Sequence, residues 1–179
     1  DNDEDFKLRS QTAVVKLQAG DEDMVKKWKE ICEISRREFE EIYDILDISI
    51  EERGESFYNA MIPDVLEDLV AKEIAVENEG ALCIFQDDDQ DKEGPPLICK
   101  KSDGGFNYAS TDLTAVRQRI DEEGEDQIIY VTDVGQNKHF EAVFEAAHRA
   151  GWLKRGGEGG GEEQGAAGRE DVRLDHVGF

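Results

Sequence analysis

Apolar residues recur at steps of three or four through residues 21–46, which predicts a long amphipathic helix. Asp21 is placed to cap its start. The apolar run before it is expected to belong to an earlier helix that ends at Gly20. Trp28 and Phe39 lie on the apolar face of the long helix. We expect them to pack in a core rather than to stack on a ligand.

The middle of the chain changes from helical to strand-like patterning. Pro63 suits the first position of a second helix, which is expected to run to Gly80. Two short apolar runs, 82–85 and 97–99, then flank an acidic stretch that contains two prolines. This pattern predicts a β-hairpin with a solvated loop at 86–95. The aspartates of that loop lack the ligand spacing of an EF-hand, so we predict no metal site there.

An alternation of helices and strands follows. We predict a helix at 111–121, a strand at 127–132 and a helix at 137–150. The strand is apolar on both faces, which predicts a central, parallel strand, and the predicted fold class is α/β. Residues 156–168 consist of Gly, Glu, Gln and Ala and are expected to be a flexible loop, whereas 172–177 is strand-like.

The position of Asp112 within the third helix depends on where that helix begins. Ser110 or Thr111 is able to cap this helix through its hydroxyl group. Asp112 would then lie in the first turn, where the helix dipole stabilises a carboxylate. A helix-capping role and a ligand-binding role for Asp112 both remain open on this local pattern.

Tyr108, Asp112 and Gln136 lie beside predicted helix starts, where α/β proteins place small-molecule sites. The carboxylate of Asp112 is suited to accept two hydrogen bonds from a guanidinium. Gln136 follows the 127–132 strand and offers both a donor and an acceptor. These three residues therefore form a candidate site for a small polar cation. His139 has no evident partner, and we expect it to cap or decorate its helix.

The composition of the chain disfavours several classes of function. The chain has 179 residues, enough for one domain with an appendage, and a formal net charge of -23, which disfavours binding to nucleic-acid phosphates. It contains no apolar run long enough to span a membrane, and no signal peptide or initiator Met at residue 1. Its three isolated cysteines favour a reducing compartment, and we expect a cytoplasmic location.

Four segments together resemble the catalytic domain of arginyl-tRNA synthetases, in particular the eukaryotic cytosolic branch. They are Gly54-Glu-Ser-Phe-Tyr-Asn59, Lys101-Ser-Asp-Gly-Gly-Phe-Asn-Tyr-Ala-Ser-Thr-Asp112, Tyr130-Val-Thr-Asp-Val-Gly-Gln136 with His139-Phe140, and His176-Val-Gly-Phe179. The similarity runs from about residue 6 to the end, outside the loops 86–95 and 154–171. It implies a partial Rossmann-like class I synthetase catalytic domain over residues 1–179, with a helical N-terminal portion and a β-hairpin.

The resemblance implies an arginine–tRNA ligase, which activates L-arginine with ATP to arginyl-adenylate and transfers it to tRNA(Arg). Tyr108, Asp112 and Gln136 match the family's arginine-binding positions. Asp112 would accept the guanidinium, Tyr108 would cover it and Gln136 would hold the backbone end of the substrate. His176 and Val177 resemble the family's adenine-side strand end and are candidates for ATP contact. Mg²⁺ is implied with ATP; no catalytic residue, metal ligand or bound organic cofactor is assigned to this chain.

Parts of the family pattern do not occur within these 179 residues. The HIGH motif and the KMSKS-like loop, which stabilise the ATP phosphates in the transition state, are absent. The tRNA-binding and anticodon-binding domains are absent too. We therefore expect a fragment with half a site, inactive alone, whose partners are arginine, ATP and, through missing regions, tRNA(Arg), with no membrane or DNA. The alternative hypothesis is a non-catalytic acidic interaction module with a synthetase-like fold.

Overall fold

The computed structural model describes residues 3–18, 20–86, 95–154 and 171–179. The predicted flexible loop at 156–168 and nearly all of the predicted loop at 86–95 lie outside these residues. The chain divides into two compact units, Asp1–Glu52 and Arg53–Phe179. The assignment of residues 1–179 to part of one catalytic domain, with the tRNA-binding and anticodon-binding domains absent, stays a prediction.

The first unit contains two helices, α1 (Glu4–Gln18) and α2 (Glu22–Leu46). The predicted long helix is confirmed, and the side chain of Asp21 caps it by accepting a hydrogen bond from the Met24 amide at 3.1 Å. The predicted core packing is wrong: α2 has no buried residue, and Phe39 is 54% exposed. The apolar face of α2 is exposed, with Ile31 64% and Ile42 54% exposed.

The second unit contains the remaining helices and strands. In chain order they are a 3₁₀ turn (Glu55–Phe57), α3 (Ile62–Ala71), β1 (Ala75–Asn78), β2 (Ala81–Ile84), β3 (Leu97–Lys100), α4 (Tyr108–Asp121), β4 (Gln127–Thr132), a second 3₁₀ turn (Val134–Gln136), α5 (Asn137–Arg149) and β5 (Arg173–Gly178). From α4 to β5 the helices and strands alternate as the sequence predicted, which confirms the α/β fold class.

Strands β1, β2 and β3 form an antiparallel sheet in that order. The predicted hairpin corresponds to β2 and β3, which pair directly. The prediction that the second helix runs to Gly80 is wrong, because α3 ends at Ala71 and β1 follows. Glu79 and Gly80 both have positive φ angles, 49° and 79°, as a two-residue hairpin turn between β1 and β2 requires. Turn geometry thus overrides the helical spacing of the apolar residues here.

Strands β4 and β5 are parallel, and α5 lies between them in sequence. This strand–helix–strand unit is the Rossmann-like element that the sequence predicted. In the described residues β4 pairs with β5 alone, so its predicted central position is not seen there. Ile129 and Val131 point away from the buried side of β4 and are 53% and 63% exposed. Thr132 and Gly178 are paired, so both strands end at the same edge.

A single apolar core joins α3, α4, α5 and the antiparallel sheet. Its most buried members include Leu69 of α3, Leu113 of α4 and Val143 of α5, each with no exposed surface. Complete burial of a side chain of this size contributes about 1.5–3 kcal/mol relative to leaving it in water. The core therefore fixes α4 against α5, the two helices that carry the candidate site.

A polar cluster at the core's margin ties α3 to the end of α5. The carboxylate of Asp68 accepts hydrogen bonds from Trp152 Nε1 at 2.9 Å and Lys72 Nζ at 3.0 Å. Arg117 of α4 lies 3.5 Å from the same carboxylate. Burial alone would raise the pKa of Asp68, but the hydrogen bonds from Lys72 and Trp152 outweigh it, and the pKa is lowered.

Candidate functional site

A cavity of about 650 Å³ opens where α4 faces the ends of β4 and α5. Five elements of the second unit contribute to its wall: the two 3₁₀ turns, α4, β4 and α5. The lining residues are Glu55, Tyr108, Thr111, Asp112, Tyr130, Thr132, Gln136, His139 and Phe140. The three residues predicted to bind arginine are thus brought to one cavity, at the strand edge where α/β proteins bind ligands.

The first wall is the start of α4. Its N-cap is Asn107, whose side chain accepts a hydrogen bond from the Tyr108 amide at 3.0 Å. The prediction that Ser110 or Thr111 caps this helix is wrong, because Asn107 begins it earlier and buried Ser110 donates its hydroxyl to the Asn107 carbonyl. Asp112 is the fifth helical residue and lies beyond the first turn, so the predicted dipole stabilisation is lost. Tyr108 is 70% exposed at the cavity mouth.

The second wall is the 3₁₀ turn after β4. Asp133 caps this turn, since its side chain accepts a hydrogen bond from the Gly135 amide at 2.7 Å. The cap holds Gln136 at the junction between the turn and α5, where it lines the cavity. The turn thereby brings Gln136 to the same cavity that Tyr108 and Asp112 line.

Asp112 pairs with His139 across the cavity. His139 Nε2 lies 2.6 Å from Asp112 Oδ2, and each side chain is 28% exposed. The prediction that His139 lacks a partner is wrong. The sequence contained one indication of this contact: His139 follows Gln136 by three residues, and residues three apart share a face of a helix.

The predicted ATP-contacting residues lie on β5, outside the cavity lining. His176 Nε2 is 2.8 Å from Thr132 Oγ1, and its Nδ1 is 3.1 Å from Asn137 Oδ1. Its ring stacks on Phe140 with a centroid separation of 5.1 Å. Val177 is half exposed on the same strand. The structure therefore packs His176 against Phe140 and leaves both residues outside the lining that Tyr108, Asp112 and Gln136 share.

Tyr130 forms part of the cavity floor. Burial raises the pKa of its phenol to about 12, against the opposing charge of Arg119. Arg119 donates to the Tyr130 hydroxyl at 2.9 Å and to the Tyr58 hydroxyl at 3.3 Å. Tyr130 is therefore neutral at physiological pH, and the guanidinium of Arg119 is directed at two phenols.

The charged groups that line the cavity are acidic. Glu55 and Asp112 carry carboxylates, and no lysine or arginine is among the described lining residues. Opposite charge and a two-oxygen acceptor favour a cationic ligand, and a planar guanidinium matches a carboxylate with two parallel hydrogen bonds. This geometry is consistent with the cation predicted from the sequence.

Residues 3–18, 20–86, 95–154 and 171–179 contain no group of three or more His, Cys, Asp or Glu side chains able to hold a metal ion. In the same ranges, no helix combines the length and the apolarity needed to cross a membrane.

Comparison with known proteins identifies the relatives of this chain. Residues 1–157 match the family model for the catalytic domain of class I tRNA synthetases for arginine. The arginine–tRNA ligase of Picosynechococcus sp. is 56% identical over 181 residues, covering 100% of this chain and 28% of the relative. That of Thermosynechococcus vestitus is 54% identical over 155 residues, covering 86% of this chain and 26% of the relative.

A solved structure has the same fold. The arginyl-tRNA synthetase of Plasmodium falciparum superposes with a TM-score of 0.78 at 35% identity, covering 97% of this chain and 28% of that one. The chain thus spans about a quarter of the length of the curated relatives it matches. The two curated relatives are cyanobacterial, so assignment to the eukaryotic cytosolic branch stays a prediction. The alternative of a non-catalytic interaction module is not supported, because these relatives are ligases.

Proposed function

Because the chain belongs to the family of class I arginyl-tRNA synthetase catalytic domains, we propose that its cavity is the arginine-binding wall of an arginine–tRNA ligase. The whole enzyme would activate L-arginine with ATP to arginyl-adenylate and transfer the arginyl group to tRNA(Arg). The observation that carries this proposal is the convergence of Tyr108, Asp112 and Gln136 on one acidic cavity.

Each of the three residues has a role that its chemistry supports. Asp112 accepts the guanidinium of the substrate through charge-assisted hydrogen bonds. Tyr108, exposed at the cavity mouth, covers the bound side chain. Gln136, across the cavity, holds the backbone end of arginine with an amide that both donates and accepts. Together they orient the substrate carboxylate toward ATP.

The chemical step requires no nucleophile from the protein. An oxygen of the arginine carboxylate attacks the α-phosphorus of ATP, and pyrophosphate leaves with the electrons of the broken P–O bond. Positioning of the two substrates supplies this chain's contribution to the rate. His176 and Val177, at the carboxyl end of β5, are proposed to contact the ATP side. Mg²⁺ would accompany ATP, and none of the described residues is assigned to hold it.

The remaining partners follow from the proposed activity. tRNA(Arg) would have to bind through other surfaces, because a chain with a net charge of -23 repels the phosphate backbone. The proposal places the enzyme in the cytoplasm, with no role for a membrane or DNA. It also holds that residues 1–179 alone bind arginine poorly and do not catalyse adenylate formation.

Asp112→Asn tests the proposal, since it keeps the size of the side chain and removes its charge. In the full-length gene product, arginine-dependent ATP–pyrophosphate exchange is measured in the presence of tRNA. Loss of a charge-assisted pair costs about 2–5 kcal/mol, so the KM for arginine should rise about thirtyfold or more. Asp121→Asn is the matched control, because Asp121 is on the same helix but pairs with Arg117 and is 55% exposed.

Two results would contradict the proposed function. One is the absence of arginine-dependent exchange in the wild-type protein. The other is a change in the arginine KM of less than about threefold for Asp112→Asn, too small for loss of a buried ion pair.

A further inference from the structure

We propose that His139 is a positioning residue that holds one oxygen of the Asp112 carboxylate and so presents the other to the substrate guanidinium. The inference rests on the proposed function, which assigns the guanidinium to Asp112. It adds His139 to that site, where His139 acts by orienting Asp112 and does not contact the substrate itself.

The contact itself has the geometry of a strong hydrogen bond. His139 Nε2 and Asp112 Oδ2 are 2.6 Å apart, within the range of charge-assisted bonds. With a proton on Nε2, His139 donates and Asp112 remains a carboxylate. A carboxylate has about four acceptor positions, so one bond from His139 leaves acceptor capacity on both oxygens.

The imidazole is itself held in place from its other side. Its ring meets Phe140 edge-on, with centroids 5.2 Å apart and planes at 74°. Phe140 stacks on His176, which is fixed by its contacts with Thr132 and Asn137. His139 therefore has a fixed ring orientation, which a residue that orients a neighbouring group requires.

Asp112 lacks an equally rigid anchor of its own. Its side chain extends from α4 into a wide cavity, where rotation about its Cβ–Cγ bond would turn the carboxylate plane away from the ligand. Binding a guanidinium through two parallel bonds depends on that plane. The bond from His139 fixes it before the substrate arrives, which lowers the entropy lost on binding.

Three substitutions at His139 isolate the donor in the full-length gene product. Phe keeps the ring volume and removes the donor. Gln carries an amide N–H near the position of Nε2, whereas Asn carries one that is too short to reach Asp112. Comparison of the Gln and Asn variants tests the role of the donor even if His139→Phe does not fold. His148→Gln, on the exposed face of the same helix, is the matched control.

The readouts are the KM for arginine, the KM for ATP and the melting temperature. Misorientation of the group that binds substrate typically costs about tenfold or more. We expect the arginine KM to rise about tenfold in His139→Phe and His139→Asn, with the ATP KM changed less than about twofold. His139→Gln should restore most of the arginine KM, and His148→Gln should leave both values unchanged.

The outcomes separate this inference from the proposed function. If Asp112→Asn raises the arginine KM while the Phe and Asn variants at His139 retain the wild-type arginine KM, the inference is overturned and the proposed function stands. If Gln does not restore what Asn removes, or both substrates and the melting temperature are affected alike, the pair has a structural role only, which also overturns it. If Asp112→Asn itself has no effect, the proposed function fails first.

Discussion

Gly178→Ala is expected to disturb the candidate site through the turn that follows β4. A Cβ atom at Gly178 would lie 2.8 Å from the Cα of Val134 and 3.0 Å from its Cβ. These distances are below ordinary van der Waals contact. Because the nearest atom belongs to the backbone, rotation of the Val134 side chain cannot relieve the overlap.

The contacted backbone belongs to the 3₁₀ turn Val134–Gln136, whose last residue lines the cavity. The Val134 amide of this turn also donates a hydrogen bond at 3.3 Å to the carbonyl of Phe179, the residue after β5. Overpacking of this kind costs about 1–3 kcal/mol. At about 2–4 °C per kcal/mol for a chain of this size, the melting temperature should fall by about 2–12 °C.

Thermal unfolding of the chain and pyrophosphate exchange by the full-length gene product measure the two consequences. Displacement of Gln136 should raise the arginine KM by at least about threefold. Gly54→Ala is the control for stability, because φ is -74° there and a Cβ would meet nothing within 4 Å. It should leave stability unchanged or raise it by up to about 1 kcal/mol. Wild-type melting and arginine KM in Gly178→Ala would refute the reasoning.

Two further predictions concern the core. Asp68→Asn should lower the free energy of unfolding by about 1–3 kcal/mol at pH 7 in urea titrations, because it weakens the bonds from Lys72 and Trp152. The pKa of Asp68 is lower in the folded chain than in the unfolded chain. The stability that its carboxylate contributes is therefore present above the unfolded-state pKa and is lost as the pH falls through the folded-state pKa. The difference in unfolding free energy between the wild type and Asp68→Asn should then vanish in acid. Burial raises the pKa of the Cys99 thiol to about 12, so iodoacetamide at pH 8 should modify Cys99 only after unfolding. Half-buried Cys32 should react in the native chain, and mass spectrometry would distinguish the two sites. Equal rates of modification at Cys99 and Cys32 would contradict this prediction.

Elements with a long, uninterrupted period were predictable from the sequence. Helix α2, strand β4 and helix α5 all lie where local periodicity placed them. The region around residues 72–80 was not, because its apolar residues fit a helical spacing as well as a strand. The positive-φ turn at Glu79 and Gly80 determines that this region forms a β-hairpin rather than a helix. Such a turn is weakly indicated by the sequence when only one of its two central residues is Gly.

The candidate site was predictable in its composition and only partly in its geometry. Tyr108, Asp112 and Gln136 were placed together because strand ends and helix starts meet at one edge of an α/β fold. The contact between Asp112 and His139 depends on how α4 and α5 pack, which the sequence of neither helix specifies. The N-cap at Asn107 was missed because Asn, Ser and Thr are all good caps, and three of them lie within five residues.

Asp112 pairs with His139 rather than with the guanidinium of Arg119. The guanidinium of Arg119 is close enough to Tyr130 to bond its hydroxyl, and it donates to Tyr58 as well. Both acceptors are phenols, and burial keeps Tyr130 neutral by raising its pKa to about 12. Arg119, which is not among the described lining residues, is therefore held by two hydrogen bonds to phenols rather than by a salt bridge to Asp112. The carboxylate is left with a histidine, which orients it without supplying the bidentate guanidinium contacts that arginine would make.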